Sequence, residues 1–211
     1  SNNKSKAQSI TNEYSDLYDN IQNQKLDCNI SIKPTHIGLD IGEDFARTNL
    51  NTLLNKAHET SNFLRIDMEN SEATDHILKL FNECKKKYPE VGTVLQAYLY
   101  RSSKDLKMLH TNGNCNVRLC KGIYNESPEI AIQKRKEINQ NYLQLLEYAF
   151  KNNIYVGIAT HDLNLLEKAY QLISEMGITK NQFEFQVLYG VPMSGWLQKH
   201  LKNEYKVRVY V

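Results

Sequence analysis

The sequence predicts an α/β fold of the β/α-barrel type, and three features of the chain carry that prediction. Short apolar runs that suit buried strands alternate with longer runs of helical spacing along the whole chain. The strand runs are mostly apolar, which is typical of parallel strands that are covered by helices. Polar residues stand at the C-terminal ends of several of these strands, and in a barrel those ends converge on one mouth.

Each element follows from a local pattern. Residues 4–25 form a polar first helix in which Ile10, Tyr14 and Ile21 recur at helical spacing. Ser71 and Thr74 offer capping groups to a later helix, and Gly177 suits a C-terminal cap. Seven strands are predicted at 26–39 (with a loop), 62–69, 91–98, 117–121, 154–160, 183–188 and 207–211. The helices between them are predicted at 43–61, 71–88, 103–110, 127–152, 164–176 and 194–203.

A doubly wound sheet has the same alternation, so topology alone leaves two fold classes open. The G-x-G-x-x-G fingerprint does not follow the first strand, and no G-x-x-x-x-G-K-[ST] phosphate loop occurs in the sequence. The polar strand ends favour the barrel. These polar residues are Lys33, Asp67, Gln96, Arg118, Lys121, Thr160, His161 and Tyr210. Any one of them also suits a helix cap or a structural hydrogen bond, but together they predict a shared site.

The predicted strand at 117–121 carries a cation within an apolar run. Val117 and Leu119 point to one face, so Arg118 and Cys120 point to the other. A buried guanidinium without a partner is costly, so Arg118 requires either an acidic residue or an anionic or electron-rich ligand.

Composition and charge exclude several classes of protein. With 41% hydrophobic and 24% charged residues, the chain has the composition of an ordinary soluble globular protein. No apolar run reaches the roughly 18 residues of a transmembrane helix, and the polar N-terminus lacks a signal-peptide core, so we expect a cytoplasmic location. The balance of 26 basic and 24 acidic residues gives no electrostatic footprint for nucleic acid. The basic runs 85–87 and 134–136 are interpreted as solvated helix faces.

The four cysteines form no C-x-x-C pair. Cys115 and Cys120 have poor spacing for a zinc site, so the sequence predicts reduced structural thiols and no metal.

Seven segments, in order and in register, resemble the flavin-dependent proline dehydrogenase family, in its monofunctional bacterial type. They are SIKP at 31–34, IDMENS at 66–71, VLQAYLYR at 94–101, VRLCKGIY at 117–124, IATHD at 158–162, FEFQVLYG at 183–190 and VRVYV at 207–211. The resemblance implies a single domain over 1–211 with a (β/α)8-type barrel. It also implies that the chain lacks the first barrel strand and the C-terminal helix, whose arginine pair clamps the proline carboxylate.

The resemblance further implies oxidation of L-proline to 1-pyrroline-5-carboxylate with FAD as cofactor. Asp67 and Arg118 would be the catalytic pair, with Arg118 against the flavin N5 edge. Lys33 would meet the proline carboxylate, and the proline ring would be walled by Tyr124, Leu188 and Tyr210. FAD contacts would come from Met68, Gln96, Lys121, Gly122, Ile123, Thr160, His161 and Gln186.

Physical chemistry supports these implied roles. A flavin that accepts hydride gains negative charge, which cations such as Arg118 and Lys121 stabilise. Lys33 can supply the fixed charge that a carboxylate substrate requires. The simpler alternative for Asp67 and Arg118 is an ordinary salt bridge between neighbouring strands.

Two further interpretations stay open beside the enzyme. One is a truncated, non-catalytic barrel that binds flavin without turning over proline, and the other is an unrelated α/β-barrel binding protein. For the enzyme, the family implies a membrane quinone as electron acceptor and a position at the inner membrane as a peripheral protein. The oligomeric state is left open.

Overall fold

The computed structural model describes residues 3–113, 115–193 and 195–211. The helices are α1 (Lys4–Asn23), α2 (Glu43–Glu59), α3 (Thr74–Lys87), α4 (Ser102–Thr111), α5 (Arg135–Lys151), α6 (Leu163–Glu175) and α7 (Trp196–Lys202). The strands are β1 (Ile30–Ile32), β2 (Leu64–Ile66), β3 (Val91–Gln96), β4 (Asn116–Cys120), β5 (Tyr155–Ala159), β6 (Phe183–Leu188) and β7 (Val207–Tyr210). The chain forms two compact units, Ser1–Val94 and Leu95–Val211.

In the first unit, β1, β2 and the start of β3 run parallel in chain order. Ile32 lies opposite Ile66, which in turn lies opposite Thr93. The apolar faces of the helices cover these strands, so Tyr18 of α1 is fully buried and its hydroxyl donates to the Phe63 carbonyl at 3.2 Å.

In the second unit, β4, β5, β6 and β7 also run parallel in chain order. Arg118 lies opposite Gly157, and Gly157 lies opposite Glu184. The alternate residues Phe183 and Phe185 are fully buried and meet the aromatic side chains of α6 and α7. Parallel pairing with crossover helices is therefore present in both units, as the sequence predicts.

An aromatic cluster packs α6 and α7 against β6 in the second unit. Its members are Tyr170, Phe183, Phe185, Trp196, His200 and Tyr205. The imidazole of His200 stacks on Phe185 with 3.9 Å between ring centres. The Tyr170 hydroxyl lies 2.8 Å from His200 Nδ1. Burial lowers the pKa of His200 to about 4, so the ring is neutral near pH 7.

The predicted helix over 127–152 is wrong in its first part, because α5 begins only at Arg135. The preceding residues pair with the segment after β3 instead: Ala131 forms a bridge with Leu99, and the Ile132 N–H donates to the Tyr98 carbonyl at 2.7 Å. Backbone groups that pair in this way are not free to form helical hydrogen bonds.

Two smaller expectations are settled by backbone geometry. Gly177 follows α6 with φ of +63°, which confirms it as a left-handed C-terminal cap. The N-cap residue of α3 is Ala73, which offers no capping side chain, and the 3₁₀ turn Ser71–Ala73 before it is capped by Asn70, whose oxygen accepts from the Ala73 N–H.

Among the described residues no disulfide joins the four cysteines, and Cys84 and Cys115 are buried. Within the described ranges, no helix combines the length and the apolar character needed to cross a membrane.

Candidate functional site

In the first unit, the carboxylates that follow β2 are held by β1 and by the loop that follows it. Asp67 is 6% exposed and accepts a hydrogen bond from the Ser31 hydroxyl at 2.6 Å. Glu69 accepts from the Thr35 N–H at 2.8 Å and from the Thr35 hydroxyl at 2.5 Å. The loop between these contacts carries Lys33, which is exposed.

The charge of these acids affects a tyrosine of the first unit. Burial, followed by the charge of Asp67, raises the pKa of Tyr14 in α1. Met68, a predicted FAD contact, is buried between Asp67 and Glu69 in the chain. Ser31 and Thr35, which stand two residues before and two residues after Lys33, were missed from sequence.

In the second unit, Arg118 of β4 belongs to a set of side chains that we call the inner network: Arg118, Glu184, Gln186, Arg208 and Tyr210. The Arg118 Nε donates to Gln186 Oε1 at 2.6 Å. Its guanidinium carbon lies 4.7 Å from the centre of the Tyr210 ring, a distance suited to cation–π attraction. Three of the predicted site residues are therefore in contact here.

The inner network continues through Gln186 to a buried acid. Gln186 Nε2 donates to Glu184 Oε1 at 2.7 Å, and both side chains are almost fully buried. Arg208 Nε donates to the two Glu184 oxygens at 3.1 and 3.2 Å. Sequence reasoning missed Glu184 and Arg208; the signal was a charged residue two positions from Gln186 in an otherwise apolar strand.

A second set, the loop network, consists of Lys121, Arg135, Asn139 and Asp162. Asp162 Oδ2 accepts from Lys121 Nζ, from Arg135 Nη2 at 2.9 Å and from Asn139 Nδ2 at 3.1 Å. Its Oδ1 accepts from the Leu165 N–H, which caps α6. Burial favours the neutral acid, but the hydrogen bonds from Lys121, Asn139 and Arg135 outweigh it and hold the pKa of Asp162 well below its usual range.

The segment after β4 depends on one glycine. Gly122 has φ of +113°, and a Cβ at this position would overlap the Tyr98 ring. The Lys121 carbonyl accepts from the Tyr98 N–H at 2.8 Å, which holds the two segments together. Beyond the glycine, Ile123 is 88% exposed and Tyr124 is half-buried, so this edge is open to a ligand.

The ends of β5 and β6 are joined by His161. Its Nε2 accepts from the Leu188 N–H at 2.9 Å, so in the neutral ring the proton is on Nδ1. Burial lowers the pKa of His161, which favours this neutral form. The buried Thr160 hydroxyl accepts from the Asp162 N–H at 3.2 Å. A predicted FAD contact, His161, therefore supports Leu188, a predicted wall of the proline site.

Gln96 is buried at the end of β3, where its carbonyl accepts from the Ser102 hydroxyl at 2.5 Å. The predicted pairing of Asp67 with Arg118 stays a prediction, as does the extent of a single domain. Within the second unit, the predicted site residues at the ends of β4, β5, β6 and β7 present directed cations, an amide and an aromatic face. Such groups can bind an anionic or electron-rich ligand.

The amino-acid sequence is similar to those of known proteins. A family model described as proline dehydrogenase matches residues 1–211. Proline dehydrogenase 2 of Bacillus subtilis (strain 168) is 38% identical over 191 residues, which cover 90% of this chain and 62% of the relative. Proline dehydrogenase of Deinococcus radiodurans is 37% identical over 188 residues, which cover 86% of this chain and 60% of the relative. The chain thus spans about three fifths of the length of these two relatives.

Solved structures agree in fold. Proline utilization A (PutA) from Bdellovibrio bacteriovorus, inactivated by N-propargylglycine, superposes with a TM-score of 0.88 at 23% identity, over 100% of this chain and 27% of that protein. PutA from Corynebacterium freiburgense superposes with a TM-score of 0.80 at 22% identity, over 98% of this chain and 25% of that protein.

The fold and the polar strand ends define a protein of the (β/α)8-barrel type, of which the described residues form seven strands, and the predicted fold class is confirmed. Within that class, the match over the whole chain places it in the proline dehydrogenase family.

Proposed function

We propose that the protein containing this chain oxidises L-proline to 1-pyrroline-5-carboxylate with FAD as the hydride acceptor. The observation that carries the proposal is the Arg118 guanidinium, held by Gln186 and Tyr210 in a chain that matches the family throughout. A cation with a fixed direction is suited to stabilise charge that develops on an electron-rich ring.

The donor set of the second unit fits a flavin nucleotide. Gly122 lets the chain turn closely against the Tyr98 ring, with which any side chain would overlap. Beyond it, the exposed Ile123 and the half-buried Tyr124 leave this edge accessible to a ligand.

Lys121 and Arg135 each have N–H donors beyond those that bind Asp162, and these would bind the phosphates, while Arg118 would donate N–H groups toward the ring. FAD supplies the hydride acceptor. The other proposed FAD contacts are Met68, Gln96, Ile123, Thr160, His161 and Gln186.

The proposed substrate site combines a cation for the proline carboxylate with aromatic and apolar side chains for the proline ring. Lys33 is exposed and can pair with the proline carboxylate as a point charge. Tyr124, Leu188 and Tyr210 would wall the ring, and β-sheet register places Leu188 directly opposite Tyr210. Asp67 is the proposed acid that supports the charged site.

A visible absorbance scan of the full-length protein tests the proposal. We expect a flavin spectrum that bleaches on addition of L-proline without other reductant. A yellow protein that does not bleach would identify a flavin-binding barrel without proline turnover. A colourless preparation that also fails to bind added FAD would contradict the proposal entirely.

Arg118→Met tests the proposed catalytic role. The methionine keeps an apolar stem but removes the donor, so we expect proline-dependent flavin reduction to slow about a hundredfold. Reduction is followed by loss of flavin absorbance, and bound FAD is counted after heat release. An unchanged rate with full FAD occupancy would remove Arg118 from the mechanism.

Lys33→Ala tests the proposed carboxylate contact. Because a charged hydrogen bond is lost, we expect the proline KM to rise about tenfold or more while the flavin spectrum stays the same. Lys86→Ala, at an exposed position of α3, is the matched control. Loss of FAD with a normal KM would show that Lys33 serves the cofactor instead.

For the electron acceptor we propose a membrane quinone, with the cytoplasmic protein bound at the inner membrane as a peripheral protein. The test is whether a soluble quinone analogue reoxidises the proline-reduced flavin faster than oxygen does. Equal rates would argue against a quinone acceptor.

A further inference from the structure

In the inner network, the amide of Gln186 occupies the space that a side chain on the neighbouring strand would otherwise fill. Arg118, Gly157 and Glu184 lie in one row across β4, β5 and β6. Gly157 contributes no side chain to the row, and the amide of Gln186 lies over it: a Cβ on Gly157 would overlap Gln186 Nε2. The amide therefore sits between the guanidinium of Arg118 and the carboxylate of Glu184.

The chemistry of the two neighbours allows this amide only one orientation. A carboxylate accepts hydrogen bonds and a guanidinium donates them. With the NH₂ group toward Glu184 and the oxygen toward Arg118, both contacts are hydrogen bonds, at 2.7 and 2.6 Å. The flipped amide would place oxygen against the carboxylate and NH₂ against the guanidinium, losing both bonds in a buried setting where such losses are costly.

We propose that Glu184 is a positioning residue, which fixes the amide orientation of Gln186 and through it the direction of the Arg118 side chain. Glu184 itself is held by Arg208 and by the Tyr155 hydroxyl, which donates to Oε2 at 3.3 Å. The order of hydrogen bonding is Arg208 to Glu184, Gln186 to Glu184, and Arg118 to Gln186. Each link has a defined donor, so the direction of Arg118 Nε follows from the acid two links away.

The alternative is that Glu184 only links β6 to β7 through its hydrogen bonds with Arg208, and this alternative predicts a different effect on Arg118. Such a link needs only the contact with Arg208, and Arg118 would keep its orientation after the charge of Glu184 is removed. The measurement must therefore report on Arg118 rather than on stability.

The experiment uses the full-length protein labelled with ¹⁵N-arginine. The Nε–H resonance of Arg118 is assigned by its disappearance in Arg118→Lys. In Glu184→Gln, the introduced glutamine can donate as well as accept, so the Gln186 amide has two possible orientations and we expect the Arg118 resonance to shift or broaden. Glu147→Gln, the same substitution on the surface of α5, is the control and should leave the resonance in place. An unchanged resonance in Glu184→Gln would overturn the proposal.

The double variant Glu184→Gln/Gln186→Glu exchanges the acid and the amide. The glutamine at 184 can accept from Arg208 and donate to the glutamate at 186, which accepts from Arg118, so every link is restored. We expect a folded protein in which the Arg118 resonance is again sharp. This double variant also tests the proposal if Glu184→Gln alone does not fold. A double variant that is unfolded, or whose Arg118 resonance stays broadened, contradicts the proposal.

The consequence for turnover rests on the proposed function. If Arg118 acts on the flavin, Glu184→Gln should slow proline-dependent reduction about tenfold or more, with little change in proline KM, because misdirected groups lose rate rather than binding. A wild-type protein that proline does not bleach would remove the proposed function but leave the resonance test standing.

Discussion

The inner network and the loop network each contain a buried acid, yet the two acids hold cations differently. Asp162 contacts Lys121 and Arg135 directly, whereas Glu184 reaches Arg118 through the neutral amide of Gln186. Direct pairing satisfies a cation and cancels much of its field. An intervening amide directs the cation by a hydrogen bond and brings no charge of its own. The comparison suggests that the loop network serves mainly to hold a segment in place and the inner network to aim a charge.

Removal of the Asp162 carboxylate should produce the largest loss of stability. Asp162→Ala loses the hydrogen bonds to the loop network and the cap of α6, together about 3 kcal/mol of the free energy of unfolding. Asp162→Asn keeps a capping oxygen and should lose about 2 kcal/mol. Guanidinium unfolding of the full-length protein measures both. If each variant loses less than about 0.5 kcal/mol, the loop network does not stabilise the fold and the contrast with the inner network fails.

Gly157→Ala disturbs the inner network without changing any charge. The added methyl group would overlap the Gln186 amide, and overpacking of this kind costs about 2 kcal/mol. Gly42→Ala is the matched control, because a Cβ there has nothing within 4 Å. Thermal unfolding of the two variants makes the comparison. Equal melting temperatures would mean that the amide can leave its place at no cost.

The pH dependence of His161 tests whether the two networks are coupled. His161 precedes Asp162 in the chain, and its Nε2 accepts from Leu188, two residues beyond Gln186. Its folded pKa is lowered from 6.5, so the unfolded chain binds more protons below that value and stability falls as the pH drops toward the folded pKa. The contribution is therefore fully present above pH 6.5.

The measurement is the difference between the unfolding free energies of wild type and His161→Asn from pH 8 to pH 5. The difference should shrink as the pH falls. His200, whose pKa is also lowered, remains in both proteins, so its larger acid effect cancels in the difference. A difference that is constant with pH would show that His161 does not link the strand ends by a titrating bond.

The sequence predicted the class of fold and the strand-end positions of the site, because both follow from local patterns. Partners were harder to predict. The pairing of Arg118 with Asp67 stays a prediction, and no local pattern predicted that Arg118 donates to Gln186, which lies 68 residues later in the chain. Such a contact depends on the register of β4, β5 and β6, and register is not encoded in any single segment.

The start of α5 shows the same limit at the level of secondary structure. Residues 127–134 are compatible with a helix, but the backbone of Ala131 and Ile132 pairs with the chain near Tyr98. Pairing with residues about 30 positions earlier in the chain therefore determines the backbone conformation here, because the intrinsic helix propensity of this segment is weak.

The aromatic cluster has a practical consequence for optical work. Trp196 is the single tryptophan in this sequence, and it lies 5.2 Å from the Tyr170 ring and 4.0 Å beneath the Lys199 ammonium group, measured to ring centres. Its fluorescence therefore samples the packing of α7 on α6 and β6, while circular dichroism samples the helices of the whole chain. Coincident transitions by the two signals would indicate cooperative unfolding, and an earlier fluorescence change would mark this corner as the first to open.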